Sequence, residues 1–243
     1  MDNIIEVSNV SQSFGKQVVL DKISLDIRHG EIIGVLGPSG SGKTTLIKII
    51  TGMSVPKEGF VKVLNEKMPN LSITSKIGYM AQSDALYDDL TAYDNLEFFG
   101  KLYNIKGKEL INRIDEVLKL VHLSNDKKKQ VKNFSGGMKR RLSLAIALIH
   151  NPEILILDEP TVGIDPVLRK EFWAEFVRLK NLGKSIIVTT HVLDEADHCD
   201  RLALTRNGKI IALGTPKELK ELSKTNTIEE AFLHFGDKEG KQL

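Results

Sequence analysis

The sequence lacks several features that mark specialised classes of protein. Cys199 is the only cysteine in 243 residues, so no intrachain disulfide can form and a disulfide-stabilised scaffold is excluded. No apolar run approaches the roughly 18 residues that a transmembrane helix needs, and candidates such as residues 142–149 are far too short. The formal net charge is only +2, from 34 Lys and Arg against 32 Asp and Glu. We therefore expect no nucleic acid among the partners.

The remaining composition is that of an ordinary globular protein. Hydrophobic residues make up 41% and charged residues 27% of the chain, close to globular averages, which excludes a disordered or collagen-like protein. The first ten residues carry neither a basic segment nor a long apolar one, so we expect no signal peptide. These observations predict a cytoplasmic protein, in which any membrane role comes through a partner.

The N-terminal half of the chain predicts strands followed by helices. Ile32–Leu36 is a continuous apolar run of the kind found in strands buried on both faces, and a helix is predicted at residues 44–50. Between residues 92 and 123, apolar residues recur at spacings of three and four, which predicts helix. Short β-branched runs bounded by turn residues predict three further strands, at residues 4–7, 18–20 and 24–27.

The C-terminal half alternates between strand and helix. A strand at 154–157, a helix at 166–182 and a strand at Ser185–Thr190 predict a parallel sheet, and Asn207-Gly208 predicts a hairpin. The chain is therefore predicted to be one α/β domain over residues 1–243. Its predicted parts are a core of residues 1–83 and 151–222, a helical insertion at 84–150 and a C-terminal tail at 223–243.

A glycine-rich loop follows the buried strand and fits the phosphate-binding pattern G-x-x-x-x-G-K-[ST] at every fixed position. Its residues are Gly37, Pro38, Ser39, Gly40, Ser41, Gly42, Lys43 and Thr44. Glycines let successive N–H groups point at phosphate oxygens, and the following helix directs its positive end at the same anion. Lys43 is expected to contact the β- and γ-phosphates, and the Thr44 hydroxyl to ligate Mg²⁺. Thr45, also expected at the nucleotide, stands where the dinucleotide pattern G-x-G-x-x-G would need its third glycine.

Two carboxylates close another apolar strand. Asp158 and Glu159 directly follow the run at 154–157. An aspartate in this position can hold Mg²⁺, usually through water, and Glu159 is placed to polarise an attacking water. Alone, the pair would indicate no more than an acidic loop, but together with the phosphate loop it predicts a nucleotide-hydrolysing site.

A second glycine-rich segment resembles a known family. Residues 134–141 read FSGGMKRR, which resembles the LSGGQ signature of ATP-binding-cassette (ABC) ATPases and the basic residues that follow it. Ser135, Gly136 and Gly137 open a predicted helix, and a helix N-terminus with free N–H groups binds anions. The position of this segment upstream of the acidic strand matches the order of motifs in that family.

The family's other motifs occur in the same order between residues 14 and 191. Gln82 is similar to the Q-loop glutamine, Asp165 to the D-loop aspartate and His191 to the switch histidine, while Phe14 stands where the family places an aromatic ring on adenine. The resemblance thus implies ATP and Mg²⁺, with nucleotide contacts from all of these residues. It implies Mg²⁺ ligation by Thr44, Gln82 and Asp158, and catalysis by Lys43, Gln82, Glu159 and His191.

The resemblance also implies an architecture and partners. The expected fold is a P-loop NTPase core with a mixed, largely parallel sheet, an N-terminal antiparallel β subdomain and a helical insertion subdomain. Two such subunits, identical or different, pair head to tail around two ATP molecules, so that Ser135 of one caps the γ-phosphate held by Lys43 of the other. Hydrolysis reopens the pair and drives a separate transmembrane permease. The protein is then peripheral on the inner face of the cell membrane.

Two departures from the family pattern indicate a branch. Met138 replaces the glutamine of LSGGQ, and the D-loop reads VGID rather than SALD. Both variants resemble the branch that exports drugs, lipids or polysaccharides. Residues 87–91, 214–216 and 229–232 resemble the same branch, so we expect an exporter.

Alternative functions stay open at this stage. A soluble cassette of translation or DNA repair usually brings two cassettes, a long coiled-coil insertion or zinc-binding cysteine pairs, none of which this sequence shows. An importer subunit often carries an extra C-terminal regulatory domain, for which this chain has no room. A regulatory module without turnover is disfavoured by the presence of Glu159 and His191. A metal site of His191, His198 and Cys199 is the remaining alternative, although ordinary neutral side chains are favoured there.

Overall fold

The secondary structure places the predicted motifs between strands and helices in a regular order. The computed structural model describes residues 3–239. Its elements in chain order are β1 Asn3–Phe14, β2 Gln17–Arg28, β3 Ile32–Leu36, α1 Lys43–Ile50, β4 Glu58–Val63, β5 Glu66–Lys67, α2 Leu71–Thr74, β6 Ile77–Met80, α3 Ala92–Leu102, α4 Gly107–Leu120, α5 Gly136–Leu148, β7 Ile154–Asp158, α6 Pro166–Asn181, β8 Ser185–Thr190, β9 Arg201–Arg206, β10 Lys209–Gly214, α7 Pro216–Ser223 and α8 Ile228–Glu239.

The larger sheet has six strands in the order β10-β9-β3-β8-β7-β6. Five of them run parallel, and β10 pairs antiparallel with β9 at one edge. The carboxyl ends of parallel strands meet on one side of the sheet, where ligands of α/β proteins bind. The segments that follow β3, β6, β7 and β8 therefore lie together. They carry the phosphate loop (residues 37–44), Gln82, the Asp158–Glu159 pair and His191.

Buried side chains form two clusters on the two faces of this sheet. One cluster includes Ile33 and Val35 of β3 and packs against α1 and the smaller sheet. The other includes Ile32 and Leu36 of the same strand and packs against the side chains of α3 to α6. Successive residues of β3 thus point into different clusters, as expected for a strand covered on both faces.

The smaller sheet is antiparallel, with the order β2-β1-β4-β5. β1 and β2 each span 12 residues, longer than predicted, because left-handed residues such as Asn9 and Lys22 interrupt the apolar pattern without ending the pairing. The sequence pattern predicts no element between residues 51 and 76, where the structure has β4, β5 and α2. Gly59 lies in β4 with φ +79°, and a Cβ there would overlap the backbone oxygen of Ser8 in β1.

Three helices, α3, α4 and α5, lie between β6 and β7. The helical pattern from residue 92 to residue 123 forms two helices, because the chain turns at Asn104, with φ +65°, and at Gly107, with φ +57°. The apolar residues on which the helix prediction for this segment rests include Ile111, but the structure leaves Ile111 49% exposed. The buried stripe of α4 runs along a neighbouring line of side chains: Leu110, Ile114, Val117 and Leu118.

The C-terminal part contains the predicted strand–helix–strand unit and hairpin. α6 starts at Pro166, one residue after its N-cap Asp165, and β9 and β10 pair on either side of Asn207-Gly208. In the predicted tail, α8 packs against α7 and β10. Residues 240–243 of that tail, like residues 1–2, lie outside the described residues. The division into core, insertion and tail stays a prediction.

Candidate active site

The phosphate loop connects β3 to α1 and depends on glycine at two close approaches. A Cβ on Gly37 would overlap the backbone oxygen of Thr205 in β9, and a Cβ on Gly42, which has φ +99°, would lie 2.6 Å from a methyl group of Leu20. Gly42 is also the N-cap of α1 and offers no side-chain acceptor, and the first turn holds no acidic residue. The first N–H groups of α1 are therefore available to an external anion.

A hydroxyl pair fastens the phosphate loop to the neighbouring strand β9. Thr205 Oγ1 donates to the backbone oxygen of Leu36 at 3.0 Å and lies 3.0 Å from Ser41 Oγ. Because Thr205 has one hydroxyl hydrogen, the hydrogen between the two side chains comes from Ser41. Both residues are buried. Sequence patterns missed Thr205, which lies in an ordinary apolar strand.

Lys43 is buried and folded back over the phosphate loop. Its Nζ donates to the backbone oxygens of Gly37 at 2.7 Å and Pro38 at 3.0 Å. Burial lowers the pKa of Lys43, and the negative charges of Glu159 and then Asp158 oppose that shift. The loop and the acidic strand end are thus close enough to form one site. Thr44 and Thr45 follow in the first turn of α1 and are half-buried.

Asp158 is fully buried at the end of β7. Its Oδ1 accepts a hydrogen bond from the Thr189 hydroxyl, whereas Oδ2 has no partner among residues 3–239. Burial, and after it the charge of Asp158, raises the pKa of Tyr79 to about 12. A buried carboxylate oxygen without a partner is costly, and it is the type of ligand that Mg²⁺ prefers. The residues here therefore fit that cation, with the Thr44 hydroxyl and the Gln82 amide as further oxygen donors.

Both carboxylate oxygens of Glu159 contact predicted site residues. Oε1 lies 3.2 Å from Nδ1 of His191, and Oε2 accepts a hydrogen bond from Nε2 of Gln82 at 3.1 Å. The backbone of Glu159 is left-handed, with φ +52°, which is uncommon for a residue other than glycine and is one of the strained conformations found at active sites. Its N–H donates to the backbone oxygen of Thr189 at 3.0 Å. The ends of β6, β7 and β8 thus converge on one carboxylate.

Arg140 of α5 connects the segments after β6 and β7. Its Nη1 donates to the backbone oxygens of Ala81 at 2.8 Å and Gln82 at 3.0 Å. Its Nη2 donates to the backbone oxygens of Asp158 at 2.8 Å and Glu159 at 2.6 Å. The sequence identified Arg140 only as one of the basic residues after the glycine pair. The structure makes it a direct neighbour of the site.

The remaining predicted residues lie on the surface. Ser135 is exposed and caps α5, its Oγ accepting from the N–H of Met138 at 3.3 Å, and a Cβ on Gly136 or Gly137 would meet nothing within 4 Å. Asp165 is exposed and caps α6. Phe14 ends β1 and is 59% exposed, so it is not a core residue. None of their hydrogen bonds within the described chain reaches Lys43, Asp158 or Glu159.

The alternative metal site does not assemble. His191 contacts Glu159, whereas His198 stacks on Trp173 with ring centroids 5.0 Å apart. Cys199 is buried, and burial raises the pKa of its thiol, which disfavours the thiolate that a metal requires. Among the described residues, no group of three or more His, Cys, Asp or Glu side chains is placed to hold a metal ion.

Comparison with known proteins decides the family. Residues 20–162 match the family described as ABC transporter. This chain belongs to the ABC transporter family. The resemblance inferred from the motifs is therefore confirmed, and the matched span contains the phosphate loop, Gln82, Ser135 and the Asp158–Glu159 pair.

Curated relatives of this ABC transporter chain are longer than it is. It is 39% identical over 251 residues to the probable multidrug ABC transporter ATP-binding protein YbhF of Escherichia coli (strain K12), a match covering 98% of this chain and 43% of that protein. It is 42% identical over 221 residues to the Nod factor export ATP-binding protein I of Sinorhizobium fredii (strain NBRC 101917 / NGR234), covering 90% of this chain and 64% of that protein. The chain thus spans less than two thirds of either relative.

A solved cassette shares the fold of this ABC transporter chain. The dimeric structure of a post-hydrolysis state of the ATP-binding cassette MJ0796, bound to ADP and Pi, superimposes with a TM-score of 0.81 at 29% identity, covering 87% of this chain and 98% of that chain. The predicted ABC ATPase fold is confirmed. Within residues 3–239, no helix has the length and apolar character needed to cross a membrane.

Proposed function

We propose that this chain binds ATP with Mg²⁺, hydrolyses it, and thereby powers a membrane exporter through a separate permease. The position of Glu159 is the observation that carries the proposal. Its carboxylate lies between Gln82 and His191. It is also close enough to the phosphate loop for its negative charge to raise the pKa of Lys43 against the effect of burial. The names of the relatives, which concern multidrug transport and Nod factor export, support export.

Nucleotide binding uses the phosphate loop and α1. Lys43 exchanges its bonds to the backbone oxygens of Gly37 and Pro38 for stronger bonds to the β- and γ-phosphates, in which both donor and acceptor are charged. The uncapped N–H groups at the start of α1 face the same phosphates. Phe14, exposed at the end of β1, stacks on the adenine ring. These contacts recognise the phosphates through hydrogen bonds, whereas they recognise the base only through stacking on its ring.

Hydrolysis uses the three side chains that meet at Glu159. A water attacks the γ-phosphorus, the bond to the β-phosphate oxygen breaks, and Glu159 accepts the proton of the water as general base. His191 and Gln82 hold the two carboxylate oxygens and orient them. Asp158, Thr44 and Gln82 bind Mg²⁺, which when bound neutralises charge on the phosphates. The products are ADP and inorganic phosphate.

A second cassette, identical or different, completes the site. Ser135, Gly136 and Asp165 are exposed, and within residues 3–239 their side chains make no hydrogen bond to this chain's own phosphate loop, so their nucleotide contacts are made with ATP bound by the partner. The open space around Gly136 and Gly137 allows a phosphate to approach the N-terminus of α5. The dimeric state of the similar cassette supports this arrangement.

The permease contacts an aromatic cluster beside the Gln82 segment. Tyr87 and Phe98 are exposed and pack edge to face with ring centroids 5.0 Å apart. Tyr87 follows Gln82 by five residues in the same segment, so a contact here reaches the hydrolytic site along a short stretch of chain. This contact places the chain on the inner face of the cell membrane as a peripheral subunit.

The first experiment measures phosphate release by the purified chain with ATP and Mg²⁺. We expect turnover by the wild type, none by Lys43→Ala, and wild-type rates for Lys48→Ala, which removes an exposed lysine from the same helix. Wild-type rates in Lys43→Ala would overturn the assignment of the phosphate loop.

The second experiment separates the exporter from an importer subunit and from a soluble cassette. We expect a polytopic membrane protein to be encoded beside this chain and to co-purify with it, and the pair in vesicles to move cargo away from the ATP side. Transport toward the ATP side would favour an importer. A neighbourhood without any membrane protein would favour a soluble cassette.

A further inference from the structure

We propose that Arg140 is a positioning residue for Glu159 and Gln82, acting within its own chain from a helix whose N-terminus serves the partner's nucleotide. The inference rests on the proposed function. It assigns Arg140 a role that differs from that of Ser135, although only five residues separate them on α5.

The contacts of Arg140 are unusual in number and kind. Its buried guanidinium donates to four backbone oxygens, two in the segment after β6 and two at the end of β7. Only a planar guanidinium with several fixed donors reaches both pairs at once, whereas the lysine ammonium is a compact group on a flexible stem. The two segments that carry Gln82 and Glu159 are thereby held at a set distance.

The guanidinium makes one further contact, to Asp84, which is itself held by Ser143. Nη1 of Arg140 lies 3.3 Å from Oδ1 of Asp84, and the same oxygen accepts a hydrogen bond from Ser143 Oγ at 2.7 Å. Ser143 lies one helical turn after Arg140 on α5. The carboxylate of Asp84 thus ties the segment after β6 to two positions of the same helix.

Glu159 is the residue that most needs such support. Its left-handed backbone, with φ +52°, is strained for a residue with a side chain. Its N–H is held by Thr189 and its carbonyl oxygen by Arg140. Because these hydrogen bonds fix the backbone on both sides of the Glu159 Cα, the carboxylate is directed between Gln82 and His191. Loss of either hydrogen bond changes where the general base points.

The consequence is a division of labour along α5. The Ser135 end of the helix faces outward, while Arg140 lies against this chain's own Glu159. The same helix therefore contributes to two nucleotide sites, to the partner's through Ser135 and to its own chain's through Arg140.

The first test compares Arg140→Lys with Arg141→Lys. Arg141 is the matched control because, in the part of the chain that the structure describes, the only oxygens its Nη1 reaches are the backbone oxygens of Val121 and His122, at 3.5 and 3.2 Å. For Arg140→Lys we expect kcat to fall about tenfold to a hundredfold, the range typical of a misplaced catalytic group, with KM and the Kd for ATP within about twofold. We expect Arg141→Lys to stay within about twofold in all three. An equal loss in kcat and in ATP binding, or an unchanged kcat, would overturn the inference.

A second variant tests whether the loss of kcat comes from misfolding. Arg140→Gln keeps a planar amide but cannot reach both pairs of backbone oxygens, so we expect the same selective loss of kcat. Thermal unfolding of both variants within a few degrees of the wild type shows that the loss is local. Recovery of wild-type kcat in either folded variant would contradict the positioning role.

The second test uses mixed dimers purified through two different tags. One chain carries Lys43→Ala, so that only its partner's phosphate loop is functional. We expect Arg140→Lys to reduce turnover when it is placed in the chain with the intact loop, and to have little effect in the Lys43→Ala chain. Ser135→Arg should show the opposite pattern. Equal loss from Arg140→Lys in either chain would overturn the action within one chain, whereas absence of turnover by the unmixed wild type would overturn the proposed function as well.

Discussion

The hydroxyl oxygens of Thr205 and Ser41 lie 3.0 Å apart although the two residues are 164 positions apart in the chain. The contact joins the phosphate loop to β9, and Thr205 also donates to the carbonyl of Leu36, where the loop begins. The shape of the loop therefore depends on a strand that contributes no motif of its own.

Thr205→Val should weaken ATP binding without unfolding the chain. The methyl group that replaces the hydroxyl leaves Ser41 Oγ and the carbonyl of Leu36 short of a partner, at a cost of about 1–3 kcal/mol. Isothermal titration should show a Kd for ATP raised by roughly tenfold. Thr205→Ser, which keeps the hydroxyl, should bind like the wild type. An unchanged Kd in folded Thr205→Val would mean that the loop holds its shape without β9.

Phe14→Ala should weaken nucleotide binding modestly. An aromatic ring stacked on a base contributes about 1–3 kcal/mol by analogy with nucleic-acid recognition, and the ring is exposed at the end of β1. Fluorescence titration with ATP and GTP measures the loss. Because stacking does not read base edges, both nucleotides should lose affinity together. An unchanged affinity for both nucleotides in folded Phe14→Ala would contradict stacking of this ring on the base.

His191→Ala should bind ATP nearly normally and turn it over poorly. Nδ1 of His191 lies 3.2 Å from Oε1 of Glu159, so its removal frees the general base on one side. We expect kcat to fall about 10²–10⁴-fold, the usual contribution of a positioned acid–base group. Single-turnover phosphate release and equilibrium binding separate the two effects. A Kd raised as much as kcat is lowered would make His191 a structural residue.

Glu159→Gln should form a dimer with ATP but not with ADP. The amide keeps the shape of the side chain and removes the base, while Asp158, Lys43 and Thr44 stay in place, so ATP binds and remains intact. A ligand that favours the dimer shifts the population toward it. Light scattering with ATP and with ADP measures the mass. Adding Ser135→Arg should abolish the ATP-dependent dimer while this chain's own phosphate loop still binds ATP.

The outcomes of the dimer experiment discriminate between assemblies. Equal mass with ATP and ADP would count against the homodimer and favour a different second cassette. Persistence of the ATP-dependent dimer in the double variant would overturn the role given to Ser135.

The pH dependence of stability should depend on His150. Nε2 of His150 lies 3.1 Å from the carbonyl oxygen of Ile77, and its ring stacks on Tyr103 at 3.7 Å. Burial in the first place lowers the pKa of His150 to about 4. Because the unfolded chain takes up this proton near pH 6.5 and the folded chain does not, folding loses stability as the pH falls from about 6.5 toward 4. His150→Phe keeps the stack and cannot titrate.

Urea unfolding at several pH values tests this prediction. As the pH is lowered from 7 to about 4.5, the unfolding free energy of the wild type should fall relative to that of His150→Phe. Other titrating groups are common to both proteins and cancel in the comparison. A difference that does not change with pH would contradict the depressed pKa.

Some of the fold escaped sequence patterns for a clear reason. β4 and β5 are short and carry charged residues, and β4 exists because it pairs with β1 at separations of 47 to 58 positions, from Ser11↔Glu58 to Ile5↔Val63. Strand preference depends on such pairing and on burial rather than on local sequence. The apolar residues of α3 and α4 recur at the same helical spacing, so the sequence pattern does not show where one helix ends. The turn at Asn104 and Gly107 separates the two helices.

The sequence by itself determined the parts whose chemistry depends on neighbours in the chain. The loop from Gly37 to Thr44, the buried strand before it and the acidic pair at the end of β7 are contiguous patterns, since backbone conformation and strand burial leave a periodic trace. The tertiary structure alone decided which distant side chains support them. Thr205 and Arg140 act on the site because the sheet order and the packing of α5 bring one hydroxyl and one guanidinium within hydrogen-bond distance of particular carbonyls. Hydrogen bonds depend on distance and direction in space, and the spacing of residues along a chain encodes neither.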